Sequence, residues 1–217
     1  MNTQPHLLLD TTTAVVVMVA ALVIGVAAWG VGRLVQQQAR DSHAETLRQL
    51  VQPGDLTRTG SWRDTAERNV EIVELANKLT AEGRRPSAEE AALLSRFTGW
   101  GASEIANNIF PDQHTGRFRS PSWQALGERL RAAMTPEEYE QAKRTTQYAH
   151  YTSEGVIRSI FDGLARLGFS GGKIVEPGMG VGSFNGLMPD AMAANSQYTG
   201  IEYDSITGKI AKLLYPQ

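Results

Sequence analysis

The chain has 217 residues, room for one medium domain or two small ones. Its 21 Lys and Arg against 23 Asp and Glu leave a formal charge of −2, which excludes the strongly basic footprint of a self-sufficient DNA binder. There is no cysteine, so disulfides and thiolate metal sites are excluded, and the four histidines, at 6, 43, 114 and 150, lack ligand spacing.

The first predicted element is apolar. No charged residue occurs from Thr11 to Gly32, and Ala14 to Gly32 is apolar throughout. As a helix this run spans about 30 Å, the thickness of a bilayer's hydrocarbon core. Trp29 sits near its C-terminal end, where an interfacial aromatic belongs. Residues 1–12 carry no Lys or Arg, whereas Arg33, Arg40 and Arg48 follow the run. That bias predicts a single-pass segment in the inner (cytoplasmic) membrane, contacting lipid through residues 13–32, with the C-terminal part cytoplasmic. A cleaved signal peptide would have a basic n-region, which is missing, and a buried core helix is rarely apolar on every face. Residues 1–35 are accordingly assigned to an N-terminal transmembrane helix.

Residues 36–60 are polar and broken by Pro53-Gly54-Asp55, as a juxtamembrane linker would be. Residues 61–146 have the pattern of helical hairpins. Ala66, Val70, Val73, Leu75, Ala76 and Leu79 recur at helical spacing up to Gly83. Ser87-Ala-Glu-Glu90 is a capping box opening a helix that carries Ala91, Leu93, Leu94 and Phe97. Thr98-Gly99-Trp100-Gly101 is a turn. Pro121 starts a helix with Trp123, Leu126 and Leu130, and Thr135-Pro136-Glu137-Glu138 is a second capping box with proline at the first helical position.

The last 70 residues change character. A helix over about 153–167, a strand at 173–176, a helix near 184–194, a strand at 198–202 and a helix over about 205–214 give a helix followed by β-α-β-α. That order predicts an α/β fold of the doubly wound, Rossmann-like kind, preceded by the helical region and the transmembrane helix. Between the first strand and its helix lies Glu176-Pro-Gly-Met-Gly-Val-Gly-Ser-Phe184. Gly178, Gly180 and Gly182 permit positive φ and close approach of a ligand to the backbone. The helix beyond can offer unpaired N–H groups. Glu202 follows about 20 residues later, at the end of the second strand, where an acid accepts hydrogen bonds from ribose hydroxyls.

An adenosine-containing cofactor fits these features. A dinucleotide fingerprint needs glycine where Ser183 stands, and Glu176 beside a pyrophosphate is repulsive. The same carboxylate suits a sulfonium cofactor with a cationic amino group, so S-adenosylmethionine is favoured over NAD. The competing reading is that the glycines serve packing alone. Upstream, Tyr148-Ala-His150-Tyr151-Thr152-Ser153 precedes a helix; it could hold a carboxylate or be an ordinary N-cap, and His150 is more simply a structural histidine.

At these residues the chain resembles a known family. The run from about Leu94 to Pro216 resembles the N-terminal part of phage- and plasmid-type N6-adenine DNA methyltransferase–SNF2 helicase fusion proteins of mobile elements. The resemblance lies in Phe97-Thr-Gly-Trp-Gly-Ala102, Thr145-Thr-Gln-Tyr-Ala-His-Tyr-Thr-Ser153, Glu176 to Phe184 with Gly186-Leu-Met-Pro189, and Gly200-Ile-Glu-Tyr-Asp-Ser-Ile-Thr-Gly-Lys-Ile-Ala211 with Tyr215-Pro216. It implies a class I methyltransferase domain beginning at 147 and running to 217, with S-adenosylmethionine as cofactor. By position, Glu176, Gly178 and Gly180 would line the methionine end and Glu202 would take the ribose. Tyr151 and Thr152 would lie near the cofactor, and Gly182 and Phe184 complete the cofactor-binding set.

Departures from the family limit what it implies. Adenine methyltransferases orient the target amine with an Asn/Asp-Pro-Pro-aromatic motif, and this sequence has no Pro-Pro. The later strands and the helicase are also missing, so the chain corresponds to a methyltransferase truncated after its second strand. The expectation is a membrane-anchored, cofactor-binding half of a methyltransferase-like protein, inactive alone. DNA would be met only in an assembly with a complementary polypeptide carrying the rest. The alternatives are a non-catalytic interaction protein at the membrane with a vestigial cofactor loop, and a small NAD- or nucleotide-binding protein.

Overall fold

The computed structural model describes residues 59–147 and 151–216. Within them run α1 (Trp62–Glu82), α2 (Ala88–Leu94), α3 (Ser103–Ile109), α4 (Pro121–Ala133), α5 (Pro136–Thr145), α6 (Glu154–Arg166), β1 (Lys173–Pro177), α7 (Ser183–Leu187), α8 (Asp190–Ala194), β2 (Gln197–Ile201) and α9 (Ser205–Leu214).

The fold class expected from the sequence is corrected here. Helix accounts for 59% of the described residues, and the sheet is two parallel strands, so the α/β class gives way to a mainly helical one. No helix among the described residues is long and apolar enough to cross a membrane. The N-terminal transmembrane helix that belonged to the expected class therefore has no support, and residues 13–32 lie outside the described residues. The physical reason for the first correction is simple. Among the described residues only two runs form strands, and residues 59–147 before them are built on helical periodicity.

Local signals set the helix boundaries. Ser61 accepts from the Asp64 N–H and Asp64 accepts from the Ser61 N–H, closing the start of α1. Gly83 ends it in the left-handed region at φ 62°. The capping boxes at Ser87/Glu90 and Thr135/Glu138 are both formed, and Pro121 is the first residue of α4. The helix starting at Ser87 stops at Leu94, so Phe97 lies beyond it in a turn. The helix expected near 184–194 is two short helices. Pro189 removes a donor and holds Met188 at ψ 133°, outside helical values.

Two apolar clusters result. The larger joins α1 to α5 and also takes in Val181 with Ile206, Ile210 and Leu214 of α9. The smaller gathers Ile157 and Phe161 of α6 with Leu187, Met188 and Met192. Helix α9 is tied to the helical region by polar bonds as well. Lys209 donates to Asn77 at 2.5 Å and to Glu138 at 2.9 Å, and Ser205 donates to Gln141 at 2.7 Å. The strands pair with Glu176 opposite Gly200 and Pro177 opposite Ile201. Side chains alternate across the sheet. Ile174, Glu176 and Tyr198 face inward, and Val175 and Ile201 stay 63% and 56% exposed, so one sheet face has no cover among the described residues.

Asn69 stands in the apolar face of α1, fully buried. Its amide donates to the Gly99 carbonyl at 2.6 Å and accepts from the Thr98 N–H at 3.2 Å. It thus clamps the turn in which Gly99 takes φ 64°. Truncation leaves a buried carbonyl and N–H without partners, so Asn69→Ala should lower stability by about 2 to 3 kcal/mol in urea unfolding. A change of a few tenths of a kcal/mol or less would refute the clamp, since that is the scale of ordinary surface substitutions.

Candidate functional site

The end of β1 is followed by a loop that folds back over the end of β2. The Gly178 and Met179 N–H groups both donate to the Ile201 carbonyl, at 2.7 and 3.1 Å. Gly178, Gly180 and Gly182 have φ of 72°, 59° and 83°, values that L side chains rarely adopt. At Gly180 a Cβ would come within 3.1 Å of the Tyr151 ring, so the missing side chain allows loop and ring to touch.

Glu202 fastens this loop. One carboxylate oxygen accepts from the Gly180 N–H at 2.9 Å and the other from the Asp204 N–H at 2.8 Å. Asp204 is the N-cap of α9 and accepts from the Thr207 N–H at 2.7 Å and the Thr207 hydroxyl at 2.6 Å. The Tyr151 hydroxyl pairs with Thr207 in turn. Burial pushes the Tyr151 phenol well up, helped by the nearby charges of Asp204 and Glu202 and opposed by the Thr207 hydrogen bond. The ring stays neutral at any physiological pH.

Glu176 lies on the inward face of β1 and accepts a hydrogen bond from the Tyr198 hydroxyl, its diagonal neighbour on β2. Burial raises its pKa above the ordinary carboxylate value, the Glu202 charge adds to the rise, and the Tyr198 bond offsets part of it.

These groups line a cavity of about 340 Å³, the size of a small-ligand site. Of the eight residues expected to bind cofactor, Tyr151, Thr152, Glu176, Gly178, Gly180, Phe184 and Glu202 are on its wall. Gly182 is not. It is buried under Tyr215, whose hydroxyl donates to the Gly182 carbonyl at 2.9 Å, and a Cβ there would run into the Tyr215 ring. His150 lies outside the described residues.

Reading by motif missed part of the wall. Phe97 and Trp100 come from the helical region, stacked edge to face with ring centroids 5.8 Å apart, and Phe97 meets Tyr151 the same way at 6.3 Å. Asp204 and Thr207 also line the cavity. One signal was present: an aromatic, Trp100, inside a glycine turn.

Chemically the cavity is aromatic and acidic. Glu176, Glu202 and Asp204 line it, and none of the described residues on its wall is Lys, Arg or His. Such a surface stacks a flat ring and favours positive charge, while phosphate would be repelled. Comparison with known protein families, curated proteins and solved structures found no match for this chain.

The raised pKa of Glu176 has a consequence for stability. Its contribution is fully present below the unfolded value of about 4.3 and is lost as pH rises through the folded value. Glu176→Gln should therefore raise the thermal midpoint relative to the parent, and by more at pH 8 than at pH 5. Equal gains at the two pH values would rule out carboxylate ionisation as the cause.

Proposed function

We propose that the cavity binds S-adenosylmethionine, and that the chain is the cofactor-holding part of an N6-adenine DNA methyltransferase-like assembly of a mobile genetic element. The observation that carries this reading is convergence. Phe97 to Trp100, Tyr151 and Thr152, the loop from Glu176 to Phe184, and Glu202 to Thr207 are four separate stretches that meet on one wall. The acidic lining supports the class of ligand proposed. A cofactor with an adenine ring, a sulfonium and an ammonium group matches aromatics beside carboxylates, whereas the pyrophosphate of NAD meets three acids and no cation.

In the proposed complex Glu176 supplies negative charge to the cationic end of the cofactor, and its carboxylate retains acceptor capacity beyond the Tyr198 bond. Glu202 holds the glycine loop and can still accept from a ribose hydroxyl through its remaining lone pairs. The aromatic rings exclude water around the adenine. S-adenosylmethionine supplies an activated methyl group when bound. Methyl transfer to an adenine amine also requires that amine to be oriented in line, which a flipped base achieves in a dedicated pocket. The sequence has no Asn/Asp-Pro-Pro-aromatic motif for that task. A complementary polypeptide is proposed to supply it, and the uncovered sheet face at Val175 and Ile201 is a surface on which such a chain could pack.

Titration calorimetry of the full-length chain with S-adenosylmethionine and with NAD tests this. S-adenosylmethionine should bind and NAD should not, and Glu176→Gln should weaken S-adenosylmethionine by roughly tenfold, the scale of one charge-assisted hydrogen bond. Affinity should also fall as pH drops through the raised Glu176 pKa, because the charge that attracts the ligand is then neutralised. Preferential binding of NAD, or no binding of S-adenosylmethionine at millimolar concentration, would defeat the proposal.

A further inference from the structure

Helix α6 carries two apolar stripes, and one of them has no cover among the described residues. Ile157 and Phe161 belong to the smaller core, with Leu164 packed against it. Val156, Ile160, Gly163 and Leu167 form the second stripe, at steps of 4, 3 and 4 residues, the spacing by which one helix meets another. Val156 and Ile160 are 50% and 41% exposed, and Leu167, which caps the helix, is 85% exposed. A Cβ at Gly163 would meet nothing within 4 Å. The stripe therefore narrows at its middle to bare backbone, open to close approach.

The polar groups beside the stripe suit burial against a matching surface. The Ser159 hydroxyl donates to the Gly155 carbonyl at 2.8 Å, so it can lose water without losing its partner. Arg158 and Glu154 pair with each other at 2.8 Å on the far side of the helix. Asp162 and Arg166 stand on the Ser159 flank, both exposed, one turn apart and without an ion-pair partner among the described residues. A flank with one acid and one base a turn apart is its own complement when a second copy runs antiparallel.

We propose that this stripe of α6 is the contact of a homodimer, two copies packing antiparallel about a twofold axis at Gly163. Residues on opposite sides of Gly163 then come level across the contact. Ile160 of each copy meets Leu167 of the other, and Asp162 of each copy meets Arg166 of the other. At the axis the two Gly163 backbones face each other with no side chain between them. A twofold contact uses one patch on both copies, so it requires the self-complementary flank that α6 has, whereas an unrelated partner would not. The charges lie at the rim and set orientation and register more than strength. One pair of helices buries less than about 1,200 Å², so the dimer is expected to be a micromolar one. The stripe is separate from the cavity, and the contact does not depend on what the cavity binds.

Sedimentation velocity of the full-length chain over a concentration series should show a monomer–dimer equilibrium. Ile160→Glu should weaken it by roughly tenfold or more while the melting midpoint stays where it is, since Ile160 belongs to neither core. Asp162→Arg and Arg166→Asp should each weaken self-association, and an equimolar mixture of the two variants should recover it as a heterodimer. The chain has no cysteine, so crosslinking reads one site at a time. Gly163→Cys should close a disulfide across the axis under copper–phenanthroline, which joins two thiols and passes their electrons to dioxygen, because the bond needs Cα atoms roughly 4.4–6.8 Å apart. Ala165→Cys, exposed on the opposite side of α6, should not. The proposal is overturned if the parent stays monomeric at about 100 µM, well above a micromolar dissociation constant. It is also overturned if Ile160→Glu associates as the parent does, if the charge-reversed mixture stays monomeric, or if Ala165→Cys crosslinks as readily as Gly163→Cys.

Discussion

The structure depends on one face of α9. Ile206, Ile210 and Leu214 are buried in the core that the helices build, while the N-cap of the same helix, Asp204, sits three residues past the end of β2. Two short parallel strands are not stable by themselves. Here β2 is held because the helix that follows it is committed to the helical region by its apolar face, by Lys209 reaching Asn77 and Glu138, and by Ser205 reaching Gln141. Anchoring α9 places Glu202, Glu202 holds Gly180, and the loop then meets Tyr151 and the aromatic turn. If α9 were displaced, each of these contacts would go with it.

Three acids share the cavity, and they are compensated unequally. Glu202 has two backbone N–H donors, and Asp204 has the N–H and hydroxyl of Thr207. Among the described residues Glu176 has only the Tyr198 hydroxyl, and burial raises its pKa, with the Glu202 charge adding to the rise. In electrostatic terms the site is incomplete at Glu176. A cation there would reverse both contributions: it would replace lost hydration and offset the repulsion from Glu202. The acid that carries a folding penalty is thus the one best placed to gain from a positively charged ligand.

Much of this was legible before the structure. Capping boxes are local, so Ser87/Glu90 and Thr135/Glu138 could be placed from four residues each. The strand–glycine loop–helix junction and the acid at 202 were likewise local patterns. What failed were statements about the whole. Two strand-like runs beside a familiar loop suggested an α/β class, but class is a property of how much sheet is built, and the helical region outweighs it. Helix α3 was not foreseen, because it buries only Ile105 and Ile109 and has no side-chain cap, too short a pattern to show a period. The role of Asn69 was hidden for a different reason. Its partners are the Thr98 N–H and the Gly99 carbonyl, and backbone groups leave no trace in a sequence.

The sheet's two faces separate two demands on the same fragment. The inward face carries Glu176 and Tyr198 and is closed by α6 and the cavity wall. The outward face carries Val175 and Ile201 and is open among the described residues. Because side chains alternate along a strand, a residue that touches a partner on the outer face cannot also touch the ligand. Cover for Val175 and Ile201 would bury apolar surface and firm the strand pair without entering the cavity. Through this face, ligand binding and partner docking should couple by the stability of the strand pair itself. Each would favour the paired state, so the coupling would be positive and limited by how much of that pairing is already in place.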